Sequence, residues 1–133
     1  MQRSHSVRIT ALTVGANAKW VDNVLSHYSV VGVEQGTRGV ARQLSDDAIL
    51  ALAVCRLLAS ELGVPLANAV SIANKVVLDR SVGSGRFDPA PELSLQFSLD
   101  AIERRVRARL ADAAESVAHV RRGRPPSRSR TEK

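Results

Sequence analysis

Apolar residues recur every three or four positions in four long stretches of the chain, a spacing typical of amphipathic helices. These stretches cover residues 18–27, 46–62, 65–78 and 99–120. Asn17, Ser45 and Ser98 stand where capping residues are expected, and Gly63 ends the second stretch. The stretch 46–62 is apolar on almost all sides, so it is predicted to be the central core helix. The pattern therefore predicts a mainly α fold.

Shorter patterns predict strands around the first long helix. Residues 6–9 alternate in polarity and predict a short strand, after which Thr10 is expected to cap a helix over residues 11–14. Residues 30–44 contain two β-prone runs around the glycine-rich tip 36–39. Such runs on either side of a glycine-rich turn predict a short β-hairpin.

The C-terminal third of the chain combines a linker, a strand and a helix. Residues 79–92 are rich in glycine and proline and predict a linker, and residues 93–97 alternate like a strand. The apolar residues of the final helix form one seam, made of Leu99, Ile102, Val106, Leu110, Ala113, Val117 and Val120. Such a seam packs either on its own domain or on the same helix of a second copy. Residues 93–120 are therefore a candidate segment for dimerisation or partner binding.

The net charge of +6 is concentrated at the C-terminus. Residues 119–133 carry six lysines or arginines and one glutamate, a net charge of +5, which leaves +1 for the other 118 residues. Residues 121–133 are too polar to form a core and are predicted to be disordered. Their first part resembles the core of an AT-hook, which implies that Arg122 and Arg124 lie in an A·T-rich minor groove. The alternative is a basic tail that contacts phosphates of any sequence.

The motifs give no support to enzymatic or metal-dependent classes. His5, His27 and His119 are scattered, and none is spaced from a carboxylate as metal ligands are. Cys55 is the single cysteine and lies in an apolar run, so it is predicted to be a small buried side chain. We expect no catalytic residue, no metal and no cofactor. Since no secretory signal is visible and the apolar run 48–55 is too short to cross a bilayer, a cytoplasmic protein without membrane association is expected.

The predicted order is helix, tight turn, helix, hairpin, long core helix, glycine turn and helix. Together with the stretches Ser-Asp-Asp-Ala-Ile at 45–49 and Leu-Gly-Val-Pro-Leu at 62–66, it resembles the MerR-like winged helix-turn-helix superfamily. The resemblance implies a mainly α winged helix-turn-helix domain over residues 9–78, after a flexible lead-in of residues 1–8. The hairpin would be the wing, and the C-terminal helix would follow the domain. Small antitoxins and mobile-element regulators share this fold.

The resemblance also implies where DNA binds. Residues 17–25 would form the recognition helix, and residues 36–39 would form the wing tip. The family has an Arg-Tyr-Tyr-like run where this chain has Asp22, Asn23 and Val24. Trp20 is either a lid on the core or a side chain that faces the groove. The candidate DNA-binding residues are Asn17, Lys19, Trp20, Asn23, Arg38, Arg42, Arg121, Arg122 and Arg124.

Two functions are compatible with these features. The first is a sequence-specific regulator that binds double-stranded DNA as a homodimer, with base contacts from the recognition helix and phosphate contacts from the wing and tail. The second is an antitoxin-type module whose residues 79–120 wrap a partner toxin, with DNA binding serving autoregulation.

Overall fold

The computed structural model describes residues 4–34, 42–80 and 85–123, without the side chains of Glu34 and of residues 118–123. The described part is mainly helical, with five helices and two small antiparallel sheets. In chain order the elements are β1 (Ser4–His5), α1 (Val7–Val14), α2 (Ala18–His27), β2 (Val33–Glu34), β3 (Gln43–Ser45), α3 (Asp46–Leu62), α4 (Leu66–Leu78), β4 (Arg86–Ala90), β5 (Leu93–Gln96) and α5 (Leu99–Gly123).

Helix α3 is the centre of the core, as its apolar composition predicts. The hydroxyl of Ser45 accepts a hydrogen bond from the Ala48 amide (3.3 Å) and caps the helix, whose first turn holds two aspartates. Ile49 and Leu52 are fully buried. Gly63 ends the helix in a left-handed conformation, and α4 then packs along α3.

Helix α1 starts earlier than its sequence pattern predicts. Ser6 caps it by accepting from the Ile9 amide (3.2 Å), so the predicted strand at residues 6–9 is wrong, and the strand lies at Ser4–His5 instead. Thr10 does not cap the helix; it lies inside, buried, with its hydroxyl donating to the Ser6 carbonyl (2.8 Å). The alternation over residues 6–9 is too short to outweigh this cap and the burial of the helix.

The first sheet has the order β1–β3–β2 and contains the predicted hairpin. Strands β2 and β3 pair antiparallel, with Val33 opposite Leu44. The side chain of Asn74 on α4 fixes the approach to β2, because it donates to the Ser29 carbonyl (2.7 Å) and accepts from the Val31 amide (3.0 Å). The predicted hairpin tip at residues 36–39 lies outside the described residues.

The segment predicted as a linker contains a strand. Arg86–Ala90 forms β4, which pairs with β5, so the linker prediction is wrong for these residues. Pro89 lies where the pairing register shifts, between Phe87 and Ala90. A proline is compatible with such an irregular position, because no regular ladder hydrogen bond is needed from it.

Helix α5 folds back on the domain. It packs against α1 and α3, with Leu99 and Ile102 buried in the core and Val106 and Leu110 half-buried against it. The chain's own core therefore occupies the first part of the seam. The helix continues to Gly123, so the prediction of a disordered tail from residue 121 is wrong for its first three residues. The rest of the tail lies outside the described part.

Candidate nucleic-acid interface

Helices α1 and α2 are joined by a tight turn of three residues. Gly15 ends α1 in a left-handed conformation, and Asn17 begins α2. The Asn17 Oδ1 accepts a hydrogen bond from the Trp20 amide (2.7 Å), as predicted for a capping residue. Asn17 thus fixes the first turn of α2.

One face of α2 is anchored in the core and the opposite face is exposed. Val21, Val24 and Leu25 are buried against the domain. Lys19 and Asn23, four positions apart, are both exposed on the other side. The predicted pair of candidate residues therefore shares one exposed face, with an ammonium and a carboxamide directed away from the core.

Arg42 connects the hairpin to this face. Its Nη1 lies 3.5 Å from Oδ1 of Asp22, and its Nη2 donates to the Ser26 hydroxyl (3.4 Å). Strand β3 follows Arg42 directly, so the ion pair holds the base of the hairpin against α2. Asp22 thus has a cationic partner.

Trp20 lies at the edge of α2, half-buried against the core. The guanidinium carbon of Arg56 on α3 lies 5.1 Å from the ring centroid, a cation–π contact. Trp20 is thus a lid on the core, and the guanidinium of Arg56 lies over its ring. It is not free to enter a groove by itself. Sequence reasoning overlooked Arg56, although it is the single charged residue between Asp47 and Glu61.

The other candidates lie at the end of the last described range or outside the described residues. Arg38 and Arg124 fall outside the described residues. Arg121 and Arg122 belong to the last turn of α5, where the backbone is helical. Arg124, the second arginine of the AT-hook-like motif, therefore follows directly after the last helical residue, Gly123.

In proteins, metal ions are held by groups of His, Cys, Asp and Glu side chains. Within residues 4–34, 42–80 and 85–123, no three His, Cys, Asp or Glu side chains are grouped so that they could hold a metal ion. His5 Nε2 lies 2.8 Å from Asp46 Oδ1 and joins β1 to the start of α3. None of the helices in the described ranges has the length and apolar character needed to cross a membrane.

No protein-family model, curated protein or solved structure matches this chain. The resemblance to winged helix-turn-helix proteins therefore rests on the sequence stretches quoted above alone.

Proposed function

We propose that the chain is a DNA-binding regulator of the winged helix-turn-helix type, which recognises a duplex sequence through α2. The observation that carries the proposal is the pose of α2. Its start is capped by Asn17 after a three-residue turn, its apolar face is locked in the core, and Lys19 and Asn23 are exposed together. A major groove admits a helix presented in this way.

The chemistry of the exposed face suits base contacts. A carboxamide such as that of Asn23 pairs bidentately with adenine, and an ammonium such as that of Lys19 donates to guanine. Because the buried residues of α2 fix the helix rigidly, these two side chains start from a defined position. Asp22 is partly neutralised by Arg42, which reduces its repulsion of phosphates.

The hairpin extends the proposed surface. Asn74 and Arg42 hold the two ends of the hairpin against α4 and α2, which supports the proposal that the hairpin is the wing. Arg38, at the predicted wing tip, is proposed to contact phosphate. A glycine-rich tip approaches a backbone closely, and a single arginine there supplies charge without base geometry.

The antitoxin-type alternative needs residues 79–120 to be available to a partner. Leu99 and Ile102 of that segment are buried in the chain's own core, so no observation favours partner wrapping over DNA binding. If two copies bind DNA together, a surface other than the first part of the α5 seam must join them.

Fluorescence anisotropy with labelled duplexes tests the proposal. The probes are the DNA upstream of the protein's own reading frame and a scrambled duplex of the same composition. We expect tighter binding to the upstream DNA and a linear fall of log affinity with log salt, with about −0.9 in slope for each phosphate contacted. If the protein binds neither duplex at low salt, the proposal is wrong.

A further inference from the structure

A groove lies between α1, α3 and α5, beside the turn that joins α1 to α2. Thr13 and Val14 line it from α1, Leu57 from α3 and Val106 from α5. Three arginines also line it, namely Arg56, Arg105 and Arg109. The Nη1 of Arg109 lies only 3.3 Å from the position that a Cβ on Gly15 would take, so its guanidinium reaches the turn itself. We call this feature the arginine groove.

The three guanidiniums of the arginine groove form no ion pair with a described carboxylate, as is also true of the exposed Arg8, Arg104 and Arg107, which do not line the groove. Arg42, Arg80 and Arg86 each form an ion pair with an aspartate. Within the described ranges, no carboxylate pairs with the groove arginines, and the guanidinium of Arg56 lies over the Trp20 ring. Three like charges around one groove repel each other, and an anion placed among them would relieve that repulsion.

The arginine groove borders α2 on the side away from Arg42. Arg56 covers Trp20, whereas Arg42 contacts Asp22. Trp20 and Asp22 are two positions apart, so they are separated by about 200° around a helix with 3.6 residues per turn. The exposed face that holds Lys19 and Asn23 lies between these two flanks. A helix in a major groove has a phosphate backbone on each side, so both flanks would face phosphates.

We infer that the arginine groove binds a backbone phosphate of the same duplex that α2 is proposed to recognise. This inference rests on the proposed function. A guanidinium presents several N–H donors in a planar fork that matches phosphate oxygens. The apolar side chains of Val14, Leu57 and Val106 line the same groove beside these donors.

The test is a double substitution on α5, Arg105→Ala with Arg109→Ala. The matched control is Arg104→Ala with Arg107→Ala, which removes two exposed arginines of the same helix that do not line the groove. Anisotropy is measured with the specific duplex and a scrambled duplex over a salt series. We expect the groove variant to lose affinity for both duplexes by the same factor, with a salt slope less steep by about one, because one phosphate contact is lost. The control should keep a slope close to that of the unchanged protein.

A third variant, Arg105→Lys with Arg109→Lys, retains charge and should retain most of the slope. Circular dichroism of all variants checks that the helices remain.

If the unchanged protein binds DNA and the groove variant keeps the control's slope, the inference is wrong while the proposed function stands. If the unchanged protein binds neither duplex, the proposed function itself has failed. A final experiment adds pyrophosphate without DNA and measures the melting temperature. If pyrophosphate stabilises the unchanged protein but not the groove variant, and the two bind DNA equally well, the groove is a site for a free anion and the inference is wrong.

Discussion

Asp22 is the acidic residue in the sequence of α2, and it lies on the exposed face beside Asn23. Its carboxylate would repel phosphates if it were unpaired. The contact with Arg42 Nη1 (3.5 Å) offsets part of that charge, and it also holds Arg42 close to α2. An exposed ion pair contributes little to folding, so the effect of this pair should appear in DNA binding instead.

Asp22→Asn should therefore strengthen DNA binding without a measurable loss of stability. The substitution removes a negative charge and releases Arg42 for a phosphate, so the salt slope should steepen by up to about one contact. Asp79→Asn is the control, since Asp79 forms a similar exposed pair with Lys75 on α4. Weaker binding of Asp22→Asn at every salt concentration would mean that Asp22 itself accepts a hydrogen bond from the DNA.

Cys55 provides a pH-dependent test of the core. Burial raises the pKa of its thiol to about 11, and the nearby Arg56 offsets this only in part. Because the folded pKa is higher than the unfolded one, the folded state keeps the proton longer. The stabilisation is complete below the unfolded pKa and is lost as pH rises toward 11.

We expect the free energy of unfolding to fall between pH 9 and 11 by on the order of 2 kcal/mol more in the unchanged protein than in Cys55→Ala. Chemical denaturation at a series of pH values measures the difference, and the alanine variant corrects for lysines, tyrosine and other groups that titrate there. Parallel pH profiles for the two proteins would show that the thiol is not desolvated as the structure has it.

At the scale of the elements, Gly32 joins α2 to the hairpin. It has φ of +79°, and a Cβ there would collide with the Ser45 hydroxyl and lie 2.9 Å from the Ala48 amide nitrogen. Those two groups form the cap of α3. Gly63 also has a positive φ, of +65°, but a Cβ there would meet nothing within 4 Å.

Gly32→Ala should destabilise the fold more than Gly63→Ala. Gly63→Ala should cost about 1 kcal/mol, the strain of a left-handed alanine. Gly32→Ala adds the displacement of the α3 cap, which costs roughly another 1 kcal/mol. Thermal and urea unfolding of both variants measure the two losses, and equal losses would contradict the close packing of Gly32 on the start of α3.

The elements that the sequence predicted well are those with local signals. Ser45 followed by two aspartates, and Gly63 followed by Pro65, mark the ends of α3 and the start of α4 within a few residues. Asn17 marks α2 in the same way. In contrast, the local pattern places Ser6 in a strand, because the burial of Thr10 and Thr13 by the rest of the domain has no local signal.

The sequence did not predict strand β4, because Pro89 and Pro91 are typical of loops. It forms nevertheless, since its hairpin partner β5 tolerates a register shift at Pro89. The seam of α5 left two alternatives open, because its spacing is the same whether the helix packs on its own domain or on a second copy. Only the contacts with α1 and α3 distinguish them.

Val106→Asp tests the packing of α5. Val106 is half-buried against the core, so an unpaired carboxylate there should lower the stability of the monomer by roughly 1–3 kcal/mol. Ala108→Asp, at an exposed position two residues further, is the control. Urea unfolding and analytical ultracentrifugation follow both variants. A change from dimer to monomer with unchanged stability would place the seam between two copies instead.

For the molecule as a whole, the sequence predicted the exposed face of α2 better than the contacts on either side of it. Lys19 and Asn23 follow from the periodicity of α2 alone. The contact of Arg42 with Asp22 and that of Arg56 with Trp20 join residues 20 and 36 positions apart, so helical spacing could not reveal them. The basic C-terminus dominated the charge count, whereas the groove arginines near the α1–α2 turn become a cluster only when α3 and α5 pack together.

The most direct test of the account is the specificity ratio of α2 variants. Lys19→Ala and Asn23→Ala are compared with the control Lys75→Ala in competition between a duplex selected from a random pool and its scrambled version. We predict that each α2 variant loses about 1–3 kcal/mol of discrimination while its binding to the scrambled duplex stays nearly constant, and that the control keeps both values. An equal loss of affinity for both duplexes, or none for either, would contradict recognition through α2.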